Sequence, residues 1–217
     1  MEKINTVFLL NRGETTKAKS ETIKAAYKRA KELIGTFDVV VNGSGVANEG
    51  NIDQLVQINL GGLMHSSLTA MDYMSKANGG QGGYIINIGS ITGLNPTDFC
   101  GLYGATKSGV INFTNTMAKP LYFDKTGVSF VTICPGVTLT TMLKDVVTKC
   151  LSAKYLSKDN NLFDSVIDQT PAEFAENLVK VLESAANGTI WVLDGGKIHE
   201  AHLPEIWGPA LRYKTRN

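Results

Sequence analysis

The sequence predicts an α/β domain built on a parallel sheet with helices on both faces. Five short apolar runs rich in β-branched residues read as strands, near Thr6–Leu10, Phe37–Val41, Tyr84–Gly89, Val128–Cys134 and Ile190–Leu193. Between them, apolar residues recur at helical spacing. The runs are nearly continuous rather than alternating, as in strands covered on both faces. Strands that alternate with helices in this way form a parallel sheet with crossover helices.

In chain order, Thr6 to Leu10 is the first strand and the polar stretch Asn11 to Ser20 is a loop. Glu21 to Leu33 is a helix with Ile23, Ala26, Tyr27, Ala30 and Leu33 along one side. Phe37 to Val41 is a strand, and Asn42-Gly43-Ser44-Gly45 follows at its carboxyl end. That turn is either a tight bend or backbone that passes close to a dinucleotide. Ile52 to Met74 carries one long helical pattern that holds Asn59 and is loosened by Gly61-Gly62. Gly79-Gly80-Gln81-Gly82-Gly83 is a turn, not a phosphate loop, because it precedes a strand instead of joining strand to helix. After the strand that ends at Gly89, Val110, Ile111, Phe113, Thr114 and Met117 mark a helix. Pro135-Gly136 closes the strand Val128–Cys134, and Thr138, Thr140 and Thr141 supply hydroxyls just beyond it. Met142 to Asp168 carries little pattern. Pro171 to Ala186 is a helix with Phe174, Leu178, Val181 and Leu182 as its apolar side. Ile190–Leu193 is the last strand, and the tail from Ala201 with Trp207 suits docking on a surface.

Residues 1–217 suffice for a single domain with a core. The net charge is +1 with no basic block, which excludes nucleic acid and anionic membranes as expected partners. No apolar run reaches the length of a membrane span, and Met1 to Asn5 is too polar for a signal peptide. Cys100, Cys134 and Cys150 are odd in number and lack Cys-x-x-Cys spacing, which fits free thiols in a reducing, cytoplasmic compartment. His65, His199 and His202 lack the company of a metal site, so no metal is expected.

The chemistry concentrates between Ser90 and Lys107. Ser90 stands at a strand end, and Tyr103 and Lys107, four residues apart, share one face of the helix that follows. A phenol titrates near about 10 and is a poor base at neutral pH. A nearby ammonium favours the phenolate, and such a tyrosine can exchange a proton with an alcohol or its carbonyl. A serine hydroxyl at the neighbouring strand end can hold the same oxygen. The spacing alone is weak, since Tyr27 and Lys31 share it, there read as a surface helix with a solvated lysine.

Taken together, these residues resemble the short-chain dehydrogenase/reductase family. Asn42-Gly43-Ser44-Gly45 is similar to its Asn-x-x-Gly turn, and Asn59 to its helix asparagine. Ser90, Tyr103 and Lys107 match its catalytic serine, tyrosine and lysine, and Pro135-Gly136 with Thr140 its Pro-Gly-x-x-x-Thr motif. Asn87-Ile88-Gly89-Ser90-Ile91-Thr92-Gly93 and the stretch from Asn187 to Asp194 resemble the insect-type alcohol dehydrogenase and fat-body protein branch. Tyr73-Met74-Ser75-Lys76 with the glycines from Gly79 to Gly83 is similar to hydroxyprostaglandin dehydrogenases.

The resemblance implies a Rossmann-like fold, a homodimer and an NAD- or NADP-dependent oxidoreductase that interconverts a secondary alcohol and a ketone. It implies Tyr103 as general acid/base, Lys107 as its partner, Ser90 as oxygen holder and Asn59 as holder of a relay water. Asn42, Gly43, Gly45, Tyr103, Lys107, Pro135, Gly136, Thr138 and Thr140 would contact the cofactor. The family also begins with a strand, a Gly-x-x-x-Gly-x-Gly turn and a helix that bind the pyrophosphate. Glycines at i, i+4, i+6 or at i, i+2, i+5 do not occur in this sequence. The sheet is therefore expected to lack the first βαβ unit, with Thr6–Leu10 either beside Phe37–Val41 or at an open edge. The cofactor site is expected to be incomplete and binding weak. The alternative function is a non-catalytic relative that acts as a binding or storage-like protein.

Overall fold

The computed structural model describes residues 6–9, 20–155 and 167–204. The expected loop at 11–19 and the tail with Trp207 lie outside these residues. A six-stranded sheet contains β1 (Thr6–Leu9), β2 (Val39–Asn42), β3 (Gly83–Ile88), β4 (Val128–Pro135), β5 (Ile190–Asp194) and β6 (Lys197–Ala201), adjacent in that same order. The pairings from β1 to β5 are parallel. Thr6 lies opposite Val39, so β1 pairs directly with β2.

The last pairing is antiparallel, and β6 corrects the expectation that the sheet ends at Leu193. Gly195 and Gly196 both take positive φ, 53° and 74°, which suits a two-residue hairpin turn. Lys197–Ala201 buries none of its residues fully, so no apolar run marks it in the sequence.

The helices are α1 (Ser20–Ile34), α2 (Ile52–Val56), α3 (Leu63–Met74), α4 (Ile91–Leu94), α5 (Gly101–Met117), α6 (Pro120–Thr126), α7 (Thr141–Lys149) and α8 (Pro171–Leu182). A π-helical stretch, Gln57–Gly62, joins α2 to α3, so the long helical pattern is continuous but unwound around Asn59. The short helices α4, α6 and α7 escape the sequence reading. α6 carries both end signals nonetheless, Pro120 in its first turn and Gly127 at φ 63° after its last.

Neighbouring residues of each strand face opposite sides, as the strand period requires. Val40, Ile85 and Phe130 pack with Tyr27 of α1, Ala70 and Met74 of α3 and Met117 of α5. Val41, Ile86 and Val131, one residue on, pack with Leu178 and Val181 of α8. Helices therefore cover both faces. Because β1 to β5 advance in one direction while α8 changes face, the β4–α8–β5 crossover has the opposite hand to those before it. Ala26 and Leu33, expected on the apolar side of α1, are exposed, whereas Tyr27 turns inward as that pattern places it. It is fully buried among Phe37 and Tyr73, and its hydroxyl shares a 2.9 Å hydrogen bond with Ser66.

A buried polar network ties this core together. Asn42 and Asn87 are cross-strand partners, and Asn42 Nδ2 donates to Asn87 Oδ1 at 2.8 Å and to Ser67 Oγ at 3.0 Å. Ser66 Oγ donates to Asn42 Oδ1, Ser67 Oγ donates to Asn87 Oδ1, and Asn87 Nδ2 donates to Thr114 Oγ1 of α5 at 3.0 Å. Among the described residues, no helix is long and apolar enough to cross a membrane.

Candidate active site

Parallel strands put their carboxyl ends on one edge of the sheet, and the sequence-predicted residues lie along that edge. Ser90 follows β3 and caps α4 with extended backbone, its Oγ accepting from Thr92 N at 3.2 Å and Thr92 Oγ1 at 2.9 Å. Tyr103 lies in the first turn of α5, with its hydroxyl close enough to Ser90 for that side chain to act on its protonation. Lys107, one turn on, is buried. Its Nζ donates to Ile88 O at the end of β3 at 2.8 Å and lies 5.6 Å from the centre of the Tyr103 ring. Close packing of α4 on α5 holds this arrangement. A Cβ on Gly93 would come within 2.7 Å of the Lys107 carbonyl carbon, so this position excludes any larger residue.

Asn59 is fully buried, and its amide closes a two-way contact with the backbone of Val46. Oδ1 accepts from Val46 N and Nδ2 donates to Val46 O, both at 2.8 Å, and Nδ2 also reaches Thr106 Oγ1. A Cβ on Gly45 would lie 3.5 Å from Asn59 Oδ1, 3.7 Å from Lys107 Nζ and 3.9 Å from Met142 Cε. Gly45, Asn59 and Lys107 are thus immediate neighbours, with α7 reaching in through Met142.

The remaining predicted residues are more dispersed. Gly43 is exposed, and the Asn42 side chain turns into the buried network rather than outward. At the end of β4, a Cβ on Gly136 would collide with Asp194, and Gly136 N donates to Leu193 O at 2.8 Å. Thr138 Oγ1 donates to Gly136 O at 3.1 Å and accepts from Gln169 Nε2 at 3.2 Å. Thr140 is exposed and precedes α7 without a side-chain cap.

Sequence reasoning missed two contributors. Glu49, nearly fully buried, accepts from Tyr103 N at 2.8 Å and from Leu151 N at 2.8 Å, which ties α5 to the end of α7. A lone acid after a turn carries no sequence signal. Cys134, at the end of β4, lies beside the Ser90 backbone, and burial pushes its thiol up to about 12. Its place at the strand end was legible, its contact with Ser90 was not. Although no metal is expected from the sequence, Glu49, Cys100 and Cys150 cluster with ligand atoms within 4.8 Å of one another.

Burial also sets the protonation of the pair. It drives the Tyr103 hydroxyl well above the usual phenol range, more than the Ser90 side chain lowers it. Burial lowers the Lys107 ammonium to about 8. The unfolded chain keeps this lysine protonated to about pH 10.5, so its stability cost is fully present below pH 8 and is relieved as pH rises from 8 toward 10.5. Raised thiols such as Cys134 act the other way above about pH 9, so a variant is needed to isolate the lysine. Relative to Lys107→Met, the native chain is expected to gain about 1–2 kcal/mol between pH 7 and 9.5, read by urea unfolding. A stability difference that is flat with pH would show that Lys107 titrates normally.

Residues 9–151 match the family model described as short chain dehydrogenase. The chain is 32% identical over 189 residues to fat body protein 2 of Drosophila melanogaster, covering 86% of this chain and 72% of that one. It is 35% identical over 190 residues to the alcohol dehydrogenase-related 31 kDa protein of Drosophila immigrans, 86% of this chain and 67% of the relative. Against alcohol dehydrogenase 1 of Ceratitis cosyra the figures are 32% over 189 residues, 87% and 73%. The crystal structure of levodione reductase superposes with a TM-score of 0.68 at 23% identity, over 82% of this chain and 73% of that one, a likeness of fold. The chain belongs to the short-chain dehydrogenase family of nicotinamide-dependent oxidoreductases.

Proposed function

We propose that this chain interconverts a secondary alcohol and a ketone with NAD or NADP. The observation that carries the reading is the convergence of Ser90 at the end of β3, Tyr103, and Lys107 with its Nζ 5.6 Å from the Tyr103 ring centre, at the carboxyl edge of a parallel sheet. Ser90 would hold the substrate oxygen. Tyr103, kept protonated by burial, would give its proton to that oxygen in the direction of reduction and take it back in oxidation. Lys107, titrating near 8, would carry charge close to the tyrosine at neutral pH. Asn59 would hold a relay water. Its buried side chain is saturated by Val46 and Thr106, so that role would fall to its backbone in the unwound π-helical stretch.

The cofactor, when bound, supplies or accepts the hydride. The residues present fit its ribose and nicotinamide portion. Gly45 leaves space beside Lys107 that a side chain would fill, and Thr138, Thr140, Gly136, Pro135, Gly43 and the backbone of Asn42 follow the neighbouring strand ends. No residue pattern in the sequence supplies the glycine-rich pyrophosphate turn. Each charge-assisted hydrogen bond foregone costs about 1.5–3 kcal/mol, roughly tenfold or more in affinity. Weak binding is therefore expected, and grafting the N-terminal βαβ unit of a complete relative ahead of Met1 should tighten it. Fluorescence titration of both forms with NADH and NADPH tests this. A grafted chain that binds neither would overturn the reading in favour of a non-catalytic binding protein.

The reading extends to a small alcohol or ketone as substrate and to a cytoplasmic homodimer. Pairing through α2, α3 and α5 is supported by Ile52, Val56 and Leu68, apolar side chains exposed on the outer side of α2 and α3. A purely monomeric profile in sedimentation at micromolar concentration would remove the dimer.

A further inference from the structure

Cys100 and Cys150 are both buried, and their sulfurs lie 2.6 Å apart. The pair lies beside the start of α5, with Cys100 three residues before Tyr103, and links it to the end of α7. Cys100 precedes α5 and holds the left-handed backbone region at φ 57°, ψ 42°, the sole non-glycine residue to do so among the described residues. Cys150 closes α7. Glu49 braces the same junction, accepting from Tyr103 N and Leu151 N while its own N–H donates to Lys149 O.

Two chemistries suit a Cys, Cys, Glu cluster, and the geometry separates them. Thiolates on a tetrahedral zinc, at about 2.3 Å from the metal, keep their sulfurs roughly 3.8 Å apart. A disulfide brings them to about 2.05 Å. The observed separation lies nearer the bond, and both oxygens of Glu49 are already engaged by backbone N–H groups. We propose that Cys100 and Cys150 form a redox-active dithiol that closes to an intramolecular disulfide with a low-molecular-weight disulfide as oxidant, fastening the start of α5 to the end of α7.

The step balances by thiol–disulfide exchange. The thiolate of one cysteine attacks a sulfur of the oxidant, forming a mixed disulfide and expelling one small thiolate. The other cysteine's thiolate attacks the protein sulfur of that mixed disulfide, forming the Cys100–Cys150 bond and expelling the second. Two electrons pass from the protein to the oxidant, and the two protons lost by the cysteines end on the two released thiols. Burial and the charge of Glu49 hold both thiols above their ordinary range, so closure is slow at neutral pH and speeds up as pH rises. Access requires residues 149–151 to swing away from Glu49.

The test equilibrates the full chain at pH 8 across ratios of reduced to oxidised glutathione, then alkylates under denaturing conditions and maps peptides by mass. The expected product joins Cys100 to Cys150 and leaves Cys134 alkylated. The bridged form should melt higher by on the order of 10 °C, as a bond closing a loop of this length constrains the unfolded chain. Cys150→Ser, and separately Cys100→Ser, should abolish the dependence of melting on glutathione ratio. Three alkylated thiols at the most oxidising ratio, a bridge that uses Cys134, or reduced chain that retains one zinc per molecule through gel filtration would each overturn the proposal. None of these readouts depends on catalysis.

Discussion

Replacing Tyr103 by phenylalanine is expected to lower turnover by about 10²–10⁴-fold, the range for losing a positioned general acid or base. The hydroxyl is the group that meets the substrate oxygen in the proposed reaction, and burial keeps it protonated through neutral pH. Ser90 Oγ keeps accepting from Thr92 N and Thr92 Oγ1 when the phenol oxygen is removed, so the fold should persist. The backbone contact of residue 103 with Glu49 is likewise untouched by the change. The measurement is steady-state reduction of a panel of small ketones with NADH and NADPH, using the βαβ-grafted form where the chain by itself is too slow. Cofactor affinity should change little, because the lost group acts on the proton and not on the nucleotide. Turnover within threefold of the native value would remove Tyr103 from the chemistry.

The largest stability effect is expected at Asn87. Its carboxamide accepts from Asn42 and Ser67 and donates to Thr114, all buried. Leucine has similar volume but offers none of these contacts. The strip of β2, α3 and α5 around it would then hold polar groups with neither partner nor water, each costing about 1–3 kcal/mol. Asn87→Leu should therefore destabilise by roughly 2–5 kcal/mol in urea unfolding, whereas Asn112→Ala on the exposed side of α5 should lie within about 0.5 kcal/mol of native. A loss below about 1 kcal/mol at Asn87 would mean that the core relaxes around the leucine and the network contributes little.

Much of the fold was legible because its signals are local. Val39–Val41 is apolar throughout, and 85–88 and 128–133 are interrupted only by Asn87, Ser129 and Thr132, a near-continuity that suits strands buried on both faces. The hand of Ser90, Tyr103 and Lys107 could be read from a strand end and one helical turn. What escaped depends on partners distant in sequence. Lys197–Ala201 becomes a strand only because β5 offers it an edge. Of the apolar side expected for α1, only Tyr27 is fully buried, because Ser66, Phe37 and Tyr73 close over it. The protonation of Tyr103 differs from the expected ammonium-lowered phenol for the same reason. Spacing places Lys107 nearby, but burial, which spacing does not encode, is the larger influence.

The connection from β4 to α8 leaves the sheet and comes back to its own starting point. Thr138 and Gln169 form a parallel bridge at its neck, Leu139 N donates to Gln169 O, Gln169 N to Val137 O, and Gln169 Nε2 to Leu193 O. Between these anchors the chain travels far enough for Met142 to reach Gly45 and Leu151 to reach Glu49. Such an excursion is sewn along two seams, one at its base and one at Glu49. Beyond the contact of Leu151 with Glu49, its length and composition can change by insertion or exchange at small entropic cost, since doubling a loop adds only about 0.6 kcal/mol, without displacing β4 or β5. Variation there would leave both seams closed and the sheet unaware of the change.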